Sequence, residues 1–333
     1  MIEKVFDKPQ IYRVFVELPQ NPLKMLNAYV IKTLDENLII DTGFNRPECK
    51  AALMKGLHEL DIDMSRTSIF ITHLHSDHVG LVPSMLEEHP RQVYMSAIDY
   101  QYLNMDYDGS NWSTLEERYV EEGFPEDTMI ALRTSNQARI FAPPVMFPVV
   151  ETKDQDVIRI GGYEFLCIHT PGHTPGHMCL YYEAEKLLFS GDHVLFDITP
   201  NNTSWPGIEN SLLDYIKSLK KIIAYDVKRT FPAHRGEFKT LYERVEELLR
   251  HHEERLALIE KVLKEEKEAN AYQIAGRLKW NMRGTPWEEF PDNQKWFAVG
   301  ETLSHLDYLR LEGKVLRVEK DGQIFYRPGK NSY

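Results

Sequence analysis

The sequence predicts an α+β protein in which sheets are covered by helices, followed by a long helix and a small helical unit that ends in a hairpin. Three observations carry this. Short β-branched and aromatic runs alternate with turn signals in two successive blocks, each interrupted by helical patterns. Residues 239–270 contain no Gly or Pro and repeat apolar side chains at near-helical spacing. Residues 271–326 place two helical patterns and a hairpin signal in one compact stretch.

In chain order, Ile11–Val16, Asn27–Lys32 and Asn37–Ile40 read as strands of an antiparallel meander, separated by turn-like pieces such as Pro19-Gln20-Asn21-Pro22 and Asp35-Glu36-Asn37. Arg46–Leu60 turns helical, with Ala51, Leu53, Leu57 and Leu60 on related faces, and Thr67–Thr72 reads as a buried strand. Residues 97–145 hold many aromatics, among them Tyr100, Tyr102, Trp112, Tyr119 and Phe124, and are expected to be helical in part, broken at Gly109 and Pro125. Two readings of this segment stand level: a helical insertion packing its own aromatics, and a lid facing substrate. Strand patterns return at Val157–Ile160, Tyr163–Ile168, Cys179–Tyr182 and Lys186–Ser190, and Asn210–Ile223 is an amphipathic helix. Beyond the long helix come a helix at Tyr272–Leu278, a loop rich in Gly, Pro and Trp, a helix at Val299–Glu312, and strands at Lys314–Val318 and Gln323–Tyr326 around Asp321-Gly322. Two helices followed by a two-stranded wing describe a winged-helix module. The domains are therefore expected at 1–238 and 239–333.

The length of 333 residues suits about two domains. With 42% apolar and 27% charged residues the chain can bury a sizeable core, which excludes wholesale disorder. The 39 Lys and Arg against 51 Asp and Glu leave a formal charge of −12, so the summed field repels phosphate backbones and anionic lipid. Nucleic acid and membrane are disfavoured partners, and a small molecule is the expected one. Three cysteines, Cys49, Cys167 and Cys179, read as reduced thiols. With a charged N-terminus and no apolar run of membrane-spanning length, a cytoplasmic location is expected.

Composition does not explain the histidines. Of 13, eight lie between His73 and His193, and six of those fall into two short clusters. His73-Leu74-His75-Ser76-Asp77-His78 places four potential metal ligands directly after a buried strand. His73 and His75, two apart in extended chain, can point to one side, while a turn into a helix lets Asp77 and His78 face a neighbouring point. The second cluster, His169-Thr170-Pro171-Gly172-His173-Thr174-Pro175-Gly176-His177, again follows a strand, and its Pro-Gly pairs impose sharp turns. Two further pieces are a strand ending in Gly191-Asp192-His193 and a loop histidine, His234, after a short apolar strand. A carboxylate at 192 could bridge two cations.

These four motifs, in this order, resemble those of the metallo-β-lactamase superfamily of metal-dependent hydrolases over about residues 20–238. The resemblance implies an αββα sandwich with two divalent metals at one edge. It implies that His73, His75 and His173 hold one metal and Asp77, His78 and His234 the other, with Asp192 bridging. The repeated His-Thr-Pro-Gly-His leaves His173 and His177 as alternatives, and the family's usage selects His173. His177, His169 and His193 then take orienting or structural roles. Asp41, in Ile40-Asp41-Thr42-Gly43, matches a strand-end Asp that could orient an imidazole, and equally reads as a turn residue.

Two cations a few Å apart bring the pKa of a shared water toward neutrality, so a metal-bridging hydroxide is the expected nucleophile, held in line by Asp77 or Asp192. Mixed imidazole and carboxylate ligation suits zinc, with iron and manganese as alternatives. The expected reaction is hydrolysis of an ester, thioester or lactone of a small metabolite. A phosphodiesterase or ribonuclease and an iron-dependent thiol dioxygenase are the alternatives of the same fold. A DNA-binding regulator is a rival from another class. Residues 271–333 carry ten Lys and Arg against eight Asp and Glu, and the candidate recognition helix offers Glu301, Asp307 and Glu312 against Arg310. That balance favours a module that packs on the metal domain or on a second copy of the chain, which makes a homodimer the one protein partner expected. His251-His252-Glu253-Glu254 reads as a solvated helix face.

Overall fold

A computed structural model of the chain describes residues 1–282 and 284–329. Arg283 and residues 330–333, the end of the expected second domain, lie outside the described residues. Strands β1 (Ile2–Phe6), β2 (Gln10–Glu17), β3 (Met25–Lys32) and β4 (Asn37–Ile40) form an antiparallel meander. After α1 (Pro47–Glu59) the chain returns as β5 (Thr67–Ile71), parallel to β4. Short helices α2 (Ser76–Val79) and α3 (Val82–Leu86) lead to β6 (Val93–Ser96). Then α4 (Ala97–Asp108), α5 (Ser110–Glu121), α6 (Glu126–Ser135) and α7 (Gln137–Ile140) intervene before β7 (Val150–Thr152) completes a seven-stranded sheet in sequential order.

The second sheet has five strands, β8 (Val157–Ile160), β9 (Tyr163–His169), β10 (Met178–Tyr182), β11 (Leu187–Gly191) and, after α8 (Ser211–Ile222), β12 (Arg229–Pro232). Period-2 alternation explains how the sheets stack. On β2 and β3, Ile11, Tyr29 and Ile31 face the second sheet's Phe165, Cys167, Leu180 and Phe189, while Val14, Val16, Ala28 and Val30 meet Leu53 and Leu57 of α1 on the opposite face. The outer face of the second sheet, with Ile168, Cys179 and Leu188, is covered by Tyr215 and Leu219 of α8 and by Val245 and Leu248 of α9 (Leu241–Glu266). The result is a helix, sheet, sheet, helix sandwich. The inner strands β3, β4, β5, β10 and β11 are covered on both faces and are near-continuous apolar runs.

The chain continues through α10 (Ala271–Arg277), α11 (Asp292–Leu311) and an antiparallel hairpin of β13 (Val315–Lys320) and β14 (Gln323–Pro328). Helix α11 begins seven residues before the expected Val299, because Pro291 caps a first turn that starts at Asp292 and Trp296 is already buried. The strands β1, β6 and β7 were not anticipated from the sequence. Each is short, and β1 is an edge strand whose Glu3 and Lys4 are exposed, so none has the apolar contrast that periodicity needs.

The aromatic segment 97–145 packs in part on itself, Tyr119 against Phe124, and in larger part on later chain. Leu115, Tyr119, Phe124, Met129 and Leu132 of this segment share one core with Ile259, Leu263, Ile274, Trp296, Leu303 and Tyr326. Tyr119 stacks on Trp296 with ring centroids 3.9 Å apart. The expectation of a solvated His251-His252 face is corrected at His252, which is buried 3.1 Å from His305 Nε2 on α11. No helix among the described residues is long and apolar enough to cross a membrane.

Candidate metal centre

All seven predicted ligand residues meet at one edge of the sandwich. Strand β5 ends at Ile71, and the carbonyl of Thr72 accepts from Met178 N–H, which joins this loop to the second sheet. His75 then sits at the N-cap of α2 in extended geometry, so that Asp77 and His78 follow on the first helical turn. His73 Nε2 and His75 Nδ1 lie 3.0 Å apart. His173 comes from the turn between β9 and β10, Asp192 from the end of β11, and His234 from the loop after β12. One ligand atom from each of His73, His75 and His173 falls within 4.8 Å of the others, and the same holds for Asp77, His78 and His234.

Asp192 stands between these two sets. Its Oδ2 is 3.6 Å from His173 Nε2, and its Oδ1 is 3.5 Å from His234 Nε2 and 3.8 Å from His78 Nε2. Asp77 Oδ2 lies 3.3 Å from His234 Nε2 and 3.7 Å from His78 Nε2. Every one of these residues is buried except His75, which is half-buried and marks the open side. His78 Nε2, His173 Nε2, His234 Nε2 and Asp192 Oδ1 have no hydrogen-bond partner among the described residues. Buried polar atoms normally find partners, so a convergent orphan set fits divalent cations.

Electrostatics point the same way. Burial, reinforced by the neighbouring imidazoles, holds His73 and His75 far below the usual histidine pKa, which keeps them neutral and able to coordinate. Burial opposes charge on His78 too, but the carboxylates of Asp41, Asp77 and Asp192 outweigh it and raise its pKa to about 10. His234 is raised in the same way, against burial, by Asp192 and Asp77. Burial works against ionisation of Asp77, yet the imidazoles of His78 and His234 hold its carboxyl below the usual range. Three carboxylates buried together call for positive charge, which either protons or metal ions can supply.

Hydrogen bonds behind the ligands fix which ring nitrogen faces inward. His78 Nδ1 meets Asp41 Oδ2 at 2.7 Å, His173 Nδ1 donates to the Asn201 carbonyl at 2.7 Å, and His234 Nδ1 donates to the Met25 carbonyl at 2.8 Å. Asp41 therefore orients an imidazole, and it also turns the chain, at φ +60°. His177 lies outside the ligand groups: it accepts from Asp192 N–H at 3.2 Å and meets Thr170 Oγ1 at 2.9 Å. His193 is buried beside Tyr215, whose hydroxyl donates to the His193 carbonyl, and His169 meets the Pro175 carbonyl on the flank of the turn.

Two contributors escaped the sequence reading. Asp99, buried in the first turn of α4, accepts from Leu74 N–H at 3.0 Å, Thr174 Oγ1–H at 2.7 Å and Gly176 N–H at 2.6 Å. One carboxylate thus clamps both histidine loops, while burial raises its pKa to about 6 against those three donors. A helix-start Asp is ordinary in sequence, so nothing local signals this role. Trp205 stacks on His75 with ring centroids 6.1 Å apart and donates from Nε1 to the His173 carbonyl at 3.0 Å.

A two-sheet sandwich that gathers histidine and aspartate from four loops at one edge defines a protein of the αββα class whose side chains could hold metal. Comparison with known families makes this specific. The chain belongs to the metallo-β-lactamase superfamily, whose profile matches residues 22–234. It is similar to the lactamase-like protein aptB of Emericella nidulans, 26% identical over 256 residues that cover 77% of this chain and 66% of that one. It is also similar to an atrochrysone carboxyl ACP thioesterase of the same organism, 30% identical over 226 residues, or 68% of this chain and 55% of the relative. The chain thus spans about two thirds of the first relative's length and just over half of the second's. Among solved structures, a metallo-β-lactamase family protein from Thermus thermophilus superposes with a TM-score of 0.79 at 26% identity, covering 95% of this chain and 98% of the other. A β-lactamase domain protein from Burkholderia ambifaria shares the fold at TM-score 0.84 and 23% identity, covering 98% and 94%. Both likenesses extend through the C-terminal helices.

Proposed function

We propose that this metallo-β-lactamase-fold hydrolase binds two divalent cations and cleaves an acyl thioester. The observation that carries the proposal is the placement of Asp192, one oxygen toward His173 and the other toward His78 and His234, between the groups His73, His75, His173 and Asp77, His78, His234. The related thioesterase of E. nidulans supports a thioester over an ester or lactone. His73, His75 and His173 would hold one cation, Asp77, His78 and His234 the other, with Asp192 shared. Zinc suits this donor set, as do iron and manganese. Bound cations would supply Lewis acidity toward the acyl oxygen and lower the pKa of a water.

The chain's own groups do the rest. Asp77 and Asp192 accept hydrogen bonds from the attacking water and hold it in line with the acyl carbon. Water adds to that carbon, the carbon–sulfur bond breaks, and the products are a carboxylic acid and a thiol that leaves with one of the water's protons. Trp205 walls the side on which His75 is half-buried, which limits bulk water around the reacting bond.

The C-terminal unit, two helices and a hairpin after α9, is proposed as a winged-helix-type module without a nucleic-acid role. Glu301 and Asp307 of α11 are buried against Arg255 and Arg118. The helix that would read DNA faces the protein interior. Elemental analysis together with a screen of acyl thioesters, lactones, phosphodiesters and RNA tests the proposal. Two metals per chain and thioester hydrolysis lost in Asp192→Ala and His75→Ala are expected. One iron per chain with thiol-dependent oxygen uptake, or full thioesterase activity of metal-stripped protein, refutes it.

A further inference from the structure

The loop Asn201–Trp205 touches two parts of the molecule at once. On one side it holds His173. A carbonyl can only accept, so the contact from His173 Nδ1 to the Asn201 oxygen places the ring proton on Nδ1 and leaves Nε2 bare toward the centre. Trp205 Nε1–H holds the His173 carbonyl from the other end of the loop. On its far side the same loop is fastened to α11 by three consecutive attachments. Asn201 Nδ2 donates to the Phe297 carbonyl at 3.1 Å, Ser304 Oγ donates to the Asn202 carbonyl at 2.6 Å, and Ser204 Oγ donates to Asp307 Oδ2. Arg118 closes the last of these, with Nη1 on Ser204 Oγ at 2.7 Å and Nη2 on Asp307 Oδ2 at 2.9 Å.

Helix and loop approach so closely that residue 300 has to be glycine. A Cβ there would stand 2.3 Å from the Tyr119 hydroxyl and 2.5 Å from Thr203 Oγ1, and Tyr119 is a buried ring with no freedom to withdraw. Gly300 recurs on the same helix as Ser304 and Asp307 at spacings of four and seven, which is one helical face.

We infer that α11 is part of the framework of the metal centre. Gly300, Ser304 and Asp307 are positioning residues that set the place and tautomer of His173 through the loop Asn201–Trp205. The C-terminal unit therefore completes the cation site of His73, His75 and His173 instead of standing beside it. Acting behind a ligand is enough for a large effect, since loss of such partners costs roughly tenfold to a hundredfold in metal affinity. The inference rests on the reading that the seven-residue cluster binds divalent cations.

The test uses the full chain and cobalt(II) or zinc in competition with a chelator. Asp307→Ala and Ser304→Ala are expected to bind one of the two metal equivalents about tenfold more weakly and to shift the visible spectrum of the cobalt-loaded protein. Glu301→Gln is the control: it loosens the Arg255 contact between α9 and α11 but does not touch the loop. It is expected to bind like wild type. Should Asp307→Ala not fold, Ser304→Ala, which removes one neutral hydrogen bond, carries the experiment. Isotherms and spectra that superimpose on wild type overturn the inference, as does an equal loss in Glu301→Gln. A wild-type chain that binds no divalent cation overturns this inference and the proposed function together, whereas wild-type binding by the variants overturns only this one.

Discussion

Replacing Asp41 by Asn isolates the orienting of His78 from the fold around it. Asp41 sits at φ +60°, a left-handed conformation that Asn also tolerates, so the backbone turn survives. Its two oxygens receive Thr72 N–H at 2.8 Å, Thr72 Oγ1–H at 2.8 Å and His78 Nδ1 at 2.7 Å. An amide offers one acceptor oxygen. If that oxygen keeps the backbone N–H, the new NH2 faces His78 Nδ1 and forces the ring proton onto Nε2, the atom that points into the cation site. Loss of the orienting acceptor is expected to weaken metal binding tenfold to a hundredfold, or about 1.4–2.7 kcal/mol. A hydrogen bond to a charged partner contributes about 1.5–3 kcal/mol, so the metal-free protein should lose a similar amount of folding stability. Chelator competition at neutral pH measures the first quantity and urea unfolding of metal-free protein the second. Metal affinity within twofold of wild type, accompanied by lower stability, would make Asp41 a fold residue only and refute the reasoning.

Two further perturbations test the scaffold. Gly172, at φ +140°, lies under α8 with space for no side chain: a Cβ would be 2.4 Å from Tyr215 Cβ and 2.5 Å from its Cα. Gly172→Ala is expected to cost about 3 kcal/mol or more and to pull the neighbouring His173 out of register, read by denaturant unfolding together with metal content. Glu122 is buried, which raises its pKa from 4.5 to about 7 despite the hydrogen bond from the Tyr326 hydroxyl. The folded state then holds that proton more tightly than the unfolded one, so stability falls as pH rises between those values, by about 3 kcal/mol in all. Glu122→Gln removes that loss. It should be more stable than wild type by about that amount at pH 8.5 and nearly equal to it at pH 4.5; equal stability at both pH values would show that Glu122 titrates normally.

The ligand residues were legible because each motif is contiguous and follows a strand: four of the seven lie within His73–His78, and Pro-Gly turns frame His173. The β-branched and aromatic run within Asn27–Lys32 likewise revealed a strand, and the structure adds that Ala28 and Val30 face one core while Tyr29 and Ile31 face the other. Asp99 was illegible for the opposite reason, since its function exists only where Leu74, Thr174 and Gly176 meet, up to 77 residues away in the chain. His252 misled because Glu253 and Glu254 beside it are typical of a wet helix face, while its own side of α9 turns toward His305 and Tyr215. Local polarity reports the average of a helix surface, and one residue can depart from it by about 100° of rotation.

The core that α5 and α6 share with residues 259–326 also dictates an order of assembly. These two helices lie between β6 and β7 of the first sheet, yet their apolar faces can be covered only by chain made much later. The hydroxyl of Tyr326 reaches Glu122 across 204 residues. During synthesis, Leu115, Tyr119, Phe124, Met129 and Leu132 therefore wait uncovered while the second sheet and α9 emerge, a period in which they invite association with other exposed chains. Such non-local closure is slow, although its entropy grows only with the logarithm of loop length. The part of the molecule that gathers His73, His75, His78, His173 and His234 is finished by a shorter C-terminal part that carries none of those residues.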